Sequence, residues 1–343
     1  MEHNSYILVF DIGRIEGFFV MKKIVLILVL FIFLFFILAL ALEFVNENYF
    51  GSFEEMKQVE DALGNGTRII YFGDSVIKSS GNGLDLFMEE NLGEKIEVVA
   101  HEAYHLGVYE AFANYILTLD KRPEIVVIPI NLRSFSPEWD TRPLYQFRSE
   151  ILKLNTKENL FEGLYVRGHD LFGESGEKIM MDNMKWKQQE VFFGDEKVGL
   201  VKDFVYEIKG NEENLTELVK NKFIFQYLYK LNGNERKITS LKNLINKYSA
   251  NGIKVIVYIT PIDYENGEKY VGIEFRKIVE ENIEIIKNNI DESKADFIDM
   301  GFDLESVNFN YIFVPNEHLK EEGIQYVADK ISEKILENKG KNN

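Results

Sequence analysis

One apolar run limits what this chain can fold into. Residues 24–42 are nineteen consecutive apolar side chains without a charge, and a helix of that length, at about 1.5 Å of rise per residue, nearly crosses a hydrocarbon core of about 30 Å. Lys22 and Lys23 precede the run and Glu43 follows it. Because positive charge collects on the cytoplasmic side of a membrane-spanning helix, we predict a single-pass protein with a transmembrane helix at 22–43 and its large domain outside the cytoplasm.

A cleaved signal peptide is the alternative, since Ala39 and Ala41 have the small side chains that a cleavage site needs. In both cases the large domain leaves the cytoplasm. Residues 1–21 are predicted to be a cytoplasmic N-terminus, or to lie upstream of a true start at Met21. Residues 44–66 are polar and acidic, and we predict a juxtamembrane linker with a short helix.

Charge and cysteine content exclude several classes of function. The chain has 39 basic and 56 acidic residues and a net charge of −17, so we expect no nucleic-acid partner, because phosphate binding needs concentrated positive charge. It has no cysteine, which excludes disulfides, zinc–thiolate sites, iron–sulfur clusters and thiol nucleophiles. We predict neither a cofactor nor a metal.

Strand-like and helix-like segments alternate through the rest of the chain, a pattern typical of parallel βαβ units. We predict one three-layer α/β/α domain over residues 67–340, flavodoxin-like and with a mostly parallel sheet. Residues 140–235 break the alternation and are predicted to be an insertion over the catalytic edge. The predicted strands are 67–72, 96–99, 125–130, 254–260 and 297–300, and the predicted helices are 109–119, 237–248, 273–289 and 320–336.

The residues that follow the predicted strands mark the candidate site, because ligands of open parallel sheets bind at the carboxyl ends of strands. Ser75 follows the first strand at a strand-to-helix turn, where a helix N-terminus would stabilise negative charge near its hydroxyl. A simple turn with a helix cap is the alternative interpretation. His318 precedes the last predicted helix and can reach the same edge. Together they predict a serine nucleophile with a histidine base.

Four short blocks within residues 67–336 resemble the SGNH (GDSL-like) hydrolase family. Gly73-Asp74-Ser75 resembles the first block, with Ser75 as the nucleophile, and His318 resembles the base of the last block. Gly107 resembles the oxyanion glycine of the second block, and Asn131 the asparagine of the third. The resemblance implies an acyl-serine intermediate whose oxyanion is bound by the N–H groups of Ser75 and Gly107 and by the Asn131 amide.

The chain departs from the family pattern where the family has an aspartate, three residues before the histidine. Pro315 occupies that position, so Asn316 or Glu317 is the candidate to orient His318, unless the site operates as a Ser–His dyad. We give Asp74 a supporting role only, as a turn-former. Inactivity is the further alternative, because loss of an orienting carboxylate costs about four orders of magnitude in rate.

Residues 131–137 and 260–263 resemble a membrane-anchored subgroup of the family, which works beside membrane-bound O-acyltransferases. Alginate acetylation factors and the lipoteichoic-acid D-alanylation protein belong to this subgroup. The resemblance implies an esterase or O-acyltransferase for cell-envelope polysaccharide, with an envelope glycan or acyl donor and a membrane-bound O-acyltransferase as partners. A degenerate domain that binds a glycan or that transferase without turnover is the second hypothesis.

Residues 101–105, His-Glu-Ala-Tyr-His, match the HExxH motif. On a helix this motif places two imidazoles on one face for zinc, with the glutamate as general base. Because the pentapeptide directly follows a predicted strand, we expect a turn there, and zinc hydrolysis is the lesser alternative. His101, His105 and Arg133 are instead predicted substrate contacts, with Arg133 binding an anionic group or pairing with an acid.

Overall fold

The computed structural model describes residues 22–41, 53–79, 83–136, 147–156, 188, 190–193, 196–200, 215–310 and 317–340. The chain divides into two compact units, Met1–Phe53 and Glu54–Asn343. In the first unit, helix α1 (Lys22–Ala41) has a mean hydropathy of 3.6 and leaves almost all of its apolar side chains exposed. The predicted N-terminal apolar helix is therefore confirmed as one that is long and apolar enough to cross a membrane. Its orientation stays a prediction.

The second unit is built on a parallel sheet of five strands, which confirms the predicted α/β fold. The strand order is β2-β1-β3-β6-β7, and every neighbouring pair is parallel. Strands β4 and β5 form a separate antiparallel hairpin within the predicted insertion. The strands are β1 (Ile69–Gly73), β2 (Ile96–Ala100), β3 (Ile125–Ile130), β4 (Glu190–Phe193), β5 (Glu196–Leu200), β6 (Lys254–Ile259) and β7 (Ala295–Asp299).

Helices cover both faces of the sheet. The α-helices of this unit are α2 (Glu54–Gly64), α3 (Ser75–Ser79), α4 (Leu84–Leu92), α5 (Leu106–Thr118), α6 (Arg148–Thr156), α7 (Leu215–Tyr227), α8 (Arg236–Ala250), α9 (Tyr264–Val271), α10 (Glu274–Asn288) and α11 (Glu321–Gly340). Two short 3-10 helices occupy Leu132–Phe135 and Ser306–Asn308.

Consecutive side chains of β1 point to opposite faces, because the side-chain period of a strand is two residues. Tyr71 lies in the core that α4 and α11 cover, where its hydroxyl is hydrogen bonded to that of Tyr258. Phe72 faces the other side and packs on Tyr109 and Phe112 of α5, which in turn packs against α8. The sheet is thus the middle of three layers.

Helix α2 lies within the segment predicted to be a linker. Its apolar stripe is buried and the helix packs against β2, so the compact unit begins at Glu54, ahead of the predicted domain start at residue 67. The predicted insertion, 140–235, contains α6, the β4–β5 hairpin and α7; apart from residues 147 and 188, its other residues up to 214 lie outside the described part of the chain.

The strand register brings the candidate site to one edge of the sheet. Gly73 pairs with Ala100, and Ile130 pairs with Ile259, so the parallel strands end together. The chain crosses from β1 to β2 on one side and returns to β3 on the other. This reversal opens a crevice between the loops that follow β1 and β3, the usual position of a ligand site in such sheets.

Candidate active site

Ser75 is the first residue of α3, and Asp74 alone separates it from the buried strand β1. Asp74 turns the chain between the two: its carboxylate Oδ1 accepts the Val76 N–H at 2.9 Å, and its carbonyl accepts the N–H groups of Ile77 and Lys78. The positioning of Ser75 therefore comes from this capped turn at the start of α3.

Gly73 allows that turn to be tight. A Cβ on Gly73 would lie 2.5 Å from the Cβ of Ile77, which is closer than two carbon atoms can approach without a shift of one of them. The absence of a side chain at this position therefore lets α3 fold back over the end of β1 and brings Ser75 to the edge of the sheet.

His318 faces Ser75 from the loop that leads into α11. Its Nε2 lies 3.3 Å from the Ser75 Oγ, although the two residues are 243 positions apart. A distance of this size permits a hydrogen bond between an imidazole and a hydroxyl. The two residues that the sequence paired as nucleophile and base are thus neighbours.

A cavity of about 400 Å³ opens beside this pair. Its walls come from the carboxyl ends of three strands and from the His318 loop, and Arg133 is among the residues that line it. The remaining wall residues are Asp74, Ser75, residues 102–105, Asn131 and Ser134. A volume of this size lies in the range of sites that bind small molecules.

The two residues that the resemblance assigns to the oxyanion are engaged in other hydrogen bonds. The Gly107 N–H donates to His105 Nδ1 at 3.1 Å, because His105 is the N-cap of α5. The Asn131 Nδ2 donates to Asp74 Oδ2 at 3.0 Å, and its Oδ1 accepts the Arg133 N–H. Their oxyanion roles stay predictions: the Gly107 N–H would have to be redirected to the substrate, while the Asn131 amide nitrogen has a second hydrogen besides the one donated to Asp74.

Glu317, one of the two residues that the sequence offers to orient His318, is paired with Arg133. Its side chain is completely buried and forms an ion pair with Arg133, with Oε2 3.1 Å from Nε. The Tyr227 hydroxyl donates to Oε1. The predicted pairing of Arg133 with an acid is therefore what the structure contains. Asn316, the other candidate to orient His318, lies outside the described residues, as does Pro315.

Tyr227 is a site residue that sequence reasoning missed. It ends α7 in the insertion, and Tyr229 from the same segment donates its hydroxyl to the Leu132 carbonyl. Both tyrosines are buried. The sequence gives little indication that Tyr227 belongs to the site, because α7 has no clear apolar stripe and the contact between Tyr227 and Glu317 joins residues 90 positions apart.

The electrostatics of the site favour an uncharged imidazole. Burial lowers the pKa of His318, and the nearby Arg133 charge lowers it further, while the carboxylates of Asp74 and Glu102 oppose this shift. Burial also raises the pKa of Asp74 and of Glu317. A neutral imidazole can accept a proton from a serine hydroxyl at neutral pH.

The HExxH residues do not lie on a helix. His101 follows β2, and α5 begins at Leu106, so the pentapeptide forms a turn that ends in the His105 cap. His101 Nδ1 is hydrogen bonded to the Glu102 carbonyl. Within the described residues no group of three potential ligand side chains could hold a metal ion. The zinc interpretation lacks the helical spacing on which it depends.

Two other features of this domain are a helix cap at Asp263 and a second cavity. Asp263, in the stretch 260–263 that resembles the membrane-anchored subgroup, caps α9 by accepting the Asn266 N–H. A larger cavity of about 520 Å³ lies at the opposite edge of the sheet, where β3, β6 and β7 begin. Neither feature lies beside Ser75.

Comparisons with known proteins add a distant structural likeness. No family model matches the chain, and no curated protein matches it. A solved structure of a family two carbohydrate esterase from Clostridium thermocellum, in complex with cellohexaose, is similar with 13% sequence identity and a TM-score of 0.34. The similarity covers 80% of this chain and 65% of that chain, which is less than two thirds of the esterase.

Proposed function

We propose that this chain is a serine esterase or O-acyltransferase that acts on acyl groups of a cell-envelope polysaccharide. The observation that carries the proposal is the 3.3 Å approach of His318 Nε2 to Ser75 Oγ in a cavity at the carboxyl edge of the parallel sheet. A serine and a histidine in this arrangement are the minimum for nucleophilic acyl transfer.

The reaction starts with neutral His318. Its Nε2 takes the hydroxyl proton as Ser75 Oγ attacks the ester carbonyl carbon, and the proton then passes to the oxygen of the departing alcohol. The acyl group is left on Ser75. Water, or a hydroxyl of an acceptor glycan, attacks this ester and gives its proton to His318, which returns the proton to Ser75 Oγ as the acyl group leaves. Water gives hydrolysis and a glycan hydroxyl gives transfer.

The substrate and partners follow from the resemblance to the membrane-anchored SGNH subgroup and from helix α1. A domain held at the outer face of the membrane would meet envelope glycans and could receive acyl groups from a membrane-bound O-acyltransferase. Incubation of the full chain with O-acetylated and deacetylated glycans tests this substrate class, with released acetate and newly formed glycan ester as the two measured products.

Labelling of the full chain in detergent by a fluorophosphonate probe tests the nucleophile directly. We expect labelling of wild type that is lost in Ser75→Ala and in His318→Gln, and that a chelator leaves unchanged. Ser134→Ala is a matched control, because Ser134 lines the same cavity and is expected to leave labelling intact. Absence of labelling in a folded wild-type chain would refute the proposed activity.

A second candidate, glycan binding without turnover, is favoured by one observation. The single Gly107 N–H donates to His105, and one of the two Asn131 amide hydrogens goes to Asp74, so the Gly107 N–H is not directed at a substrate oxygen. This candidate predicts glycan binding without serine labelling. Calorimetric titration of the Ser75→Ala variant with glycan oligosaccharides, alongside the labelling assay, separates the two candidates.

A further inference from the structure

The two residues of the candidate pair are each preceded by a buried acid. Asp74 precedes Ser75, Glu317 precedes His318, and their exposed fractions are 9% and 0%. Asn131 connects the two loops: its Nδ2 donates to Asp74 Oδ2 at 3.0 Å, and its Oδ1 accepts the N–H of Arg133, whose guanidinium pairs with Glu317. An amide side chain can donate and accept at the same time, so a single Asn131 can join the Ser75 loop to Arg133 and, through Arg133, to the His318 loop.

Glu317 is held on both of its carboxylate oxygens. Arg133 Nε lies 3.1 Å from Oε2, and the Tyr227 hydroxyl donates to Oε1. Through Arg133 and Tyr227 the carboxylate is tied to the loop that follows β3 and to the end of α7. A fully buried carboxylate with partners of this kind has little freedom to rotate, because each alternative orientation leaves a buried charge unpaired.

The backbone converts the fixed position of Glu317 into a fixed position of His318. Leu319 forms an isolated β-bridge with Phe309, and the His318 carbonyl accepts the Asn310 N–H at 2.8 Å. In extended backbone, consecutive side chains point in opposite directions. Glu317 and Leu319 are buried and His318 is half-buried, so the inward Glu317 turns the His318 ring toward the cavity.

We propose that Glu317 is the positioning residue of His318: its ion pair with Arg133, which Asn131 links to Asp74, fixes the His318 loop against the Ser75 loop, and the backbone passes this constraint to the His318 ring. This inference rests on the proposed function, since it assigns a role within the same site. It also gives Asn131 a place as the link between two loops, in addition to the oxyanion role that the resemblance implies.

The test compares ion-pair variants by the rate of fluorophosphonate labelling from pH 4.5 to 9, with the full chain in detergent. Glu317→Gln keeps the size of the side chain but leaves Arg133 without its carboxylate, and we expect labelling at least tenfold slower. In the double variant Glu317→Gln/Arg133→Gln two amides replace the ion pair and no charge is left unpaired, so most of the rate above the acid limb should return.

The pH profile distinguishes positioning from general damage to the fold. The charged groups that face His318 are Arg133, Asp74 and Glu102, with Glu317 next to it in the chain. Because the Arg133 charge disfavours imidazolium, variants that lack it should shift the acid limb to higher pH. Glu110→Gln is the matched control: it breaks a 3.0 Å ion pair with Lys247 away from the cavity and should leave rate and profile unchanged.

A second readout does not need turnover. The chain has five histidines, so the ring signals of ¹³C-labelled histidine can be resolved by NMR and that of His318 identified by its loss in His318→Gln. We expect its pKa to lie below 6.5 in wild type and to move toward 6.5 in Glu317→Gln, as the released ring gains solvent.

The outcomes separate this inference from the proposed function. Wild-type labelling that Glu317→Gln leaves unchanged overturns the positioning role and leaves the serine chemistry standing. Slow labelling of Glu317→Gln that the double variant does not rescue also overturns it, because the carboxylate itself would then be required. If wild type does not label but the His318 signal shifts in Glu317→Gln, the positioning role holds and the proposed activity fails.

Discussion

Replacement of Gly73 by alanine should destabilise the domain by displacing the turn that presents Ser75. The new Cβ would lie 2.5 Å from Ile77 Cβ and 2.7 and 2.8 Å from its two γ-carbons. None of these is the free end of a flexible side chain, so the first turn of α3 must shift. Overpacking of this kind costs about 1–3 kcal/mol, and the lower chain entropy of alanine in the unfolded state returns about 0.4–1 kcal/mol. A net loss of about 1–2 kcal/mol follows.

Urea unfolding of the full chain in detergent measures this loss, and the labelling rate of Ser75 measures the displacement of the turn. Gly64→Ala is the control, because a Cβ there meets nothing within 4 Å. In the Ile77→Gly background the clashing atoms are gone, so Gly73→Ala should become neutral or stabilising by up to about 1 kcal/mol. An equal cost in both backgrounds would refute the argument that the contact with Ile77 requires glycine.

Three further predictions concern the pH dependence and the capping of the site. The acid limb of activity should lie below pH 6.5, because burial and the Arg133 charge lower the pKa of His318. A pH–rate profile of fluorophosphonate labelling measures the midpoint of this limb, and a midpoint above pH 6.5 would contradict the assignment of His318 as the base. Burial raises the pKa of Asp74, so between the ordinary and the raised pKa the native chain holds a proton that the unfolded chain releases. As the pH rises through this window, the free energy of unfolding of wild type should fall relative to that of Asp74→Asn. Urea unfolding between pH 4 and 7 measures this difference, and parallel plots of unfolding free energy against pH would contradict the prediction. His105→Ala removes the N-cap of α5 and should lower the free energy of unfolding by about 1 kcal/mol. Urea unfolding measures this change, and an unchanged free energy of unfolding would show that the cap does not stabilise the domain.

The position of the site was predictable because it depends on a rule about parallel sheets. Ser75 and Asn131 follow apolar runs, β1 and β3, whose lengths and flanking turns identify them as strands, and parallel strands end at one edge. The prediction of β3 at residues 125–130 matches the structure residue for residue. Helix α5 begins three residues before the predicted start at 109, because the cap is a histidine, which sequence patterns rarely assign to that position.

The hydrogen-bond partners within the site were not predictable from residue types. Gly107 matches a family block, but its N–H serves His105. Glu317 was considered as a partner of the imidazole, yet its carboxylate lies on the opposite side of the backbone and pairs with Arg133. In both cases a group has several potential partners, and only the folded geometry decides which of them is within about 3 Å.

The sequence by itself determined the apolar N-terminal helix, the alternation that builds a parallel sheet, and the edge of that sheet where a serine and a histidine converge. These follow from local periodicity and from the chirality and direction of strand connections, which act over short stretches of chain. The tertiary structure alone decided that Tyr227 and Arg133 meet Glu317 next to His318. Such contacts join distant segments, and their strength depends on burial and on distances that no local pattern encodes.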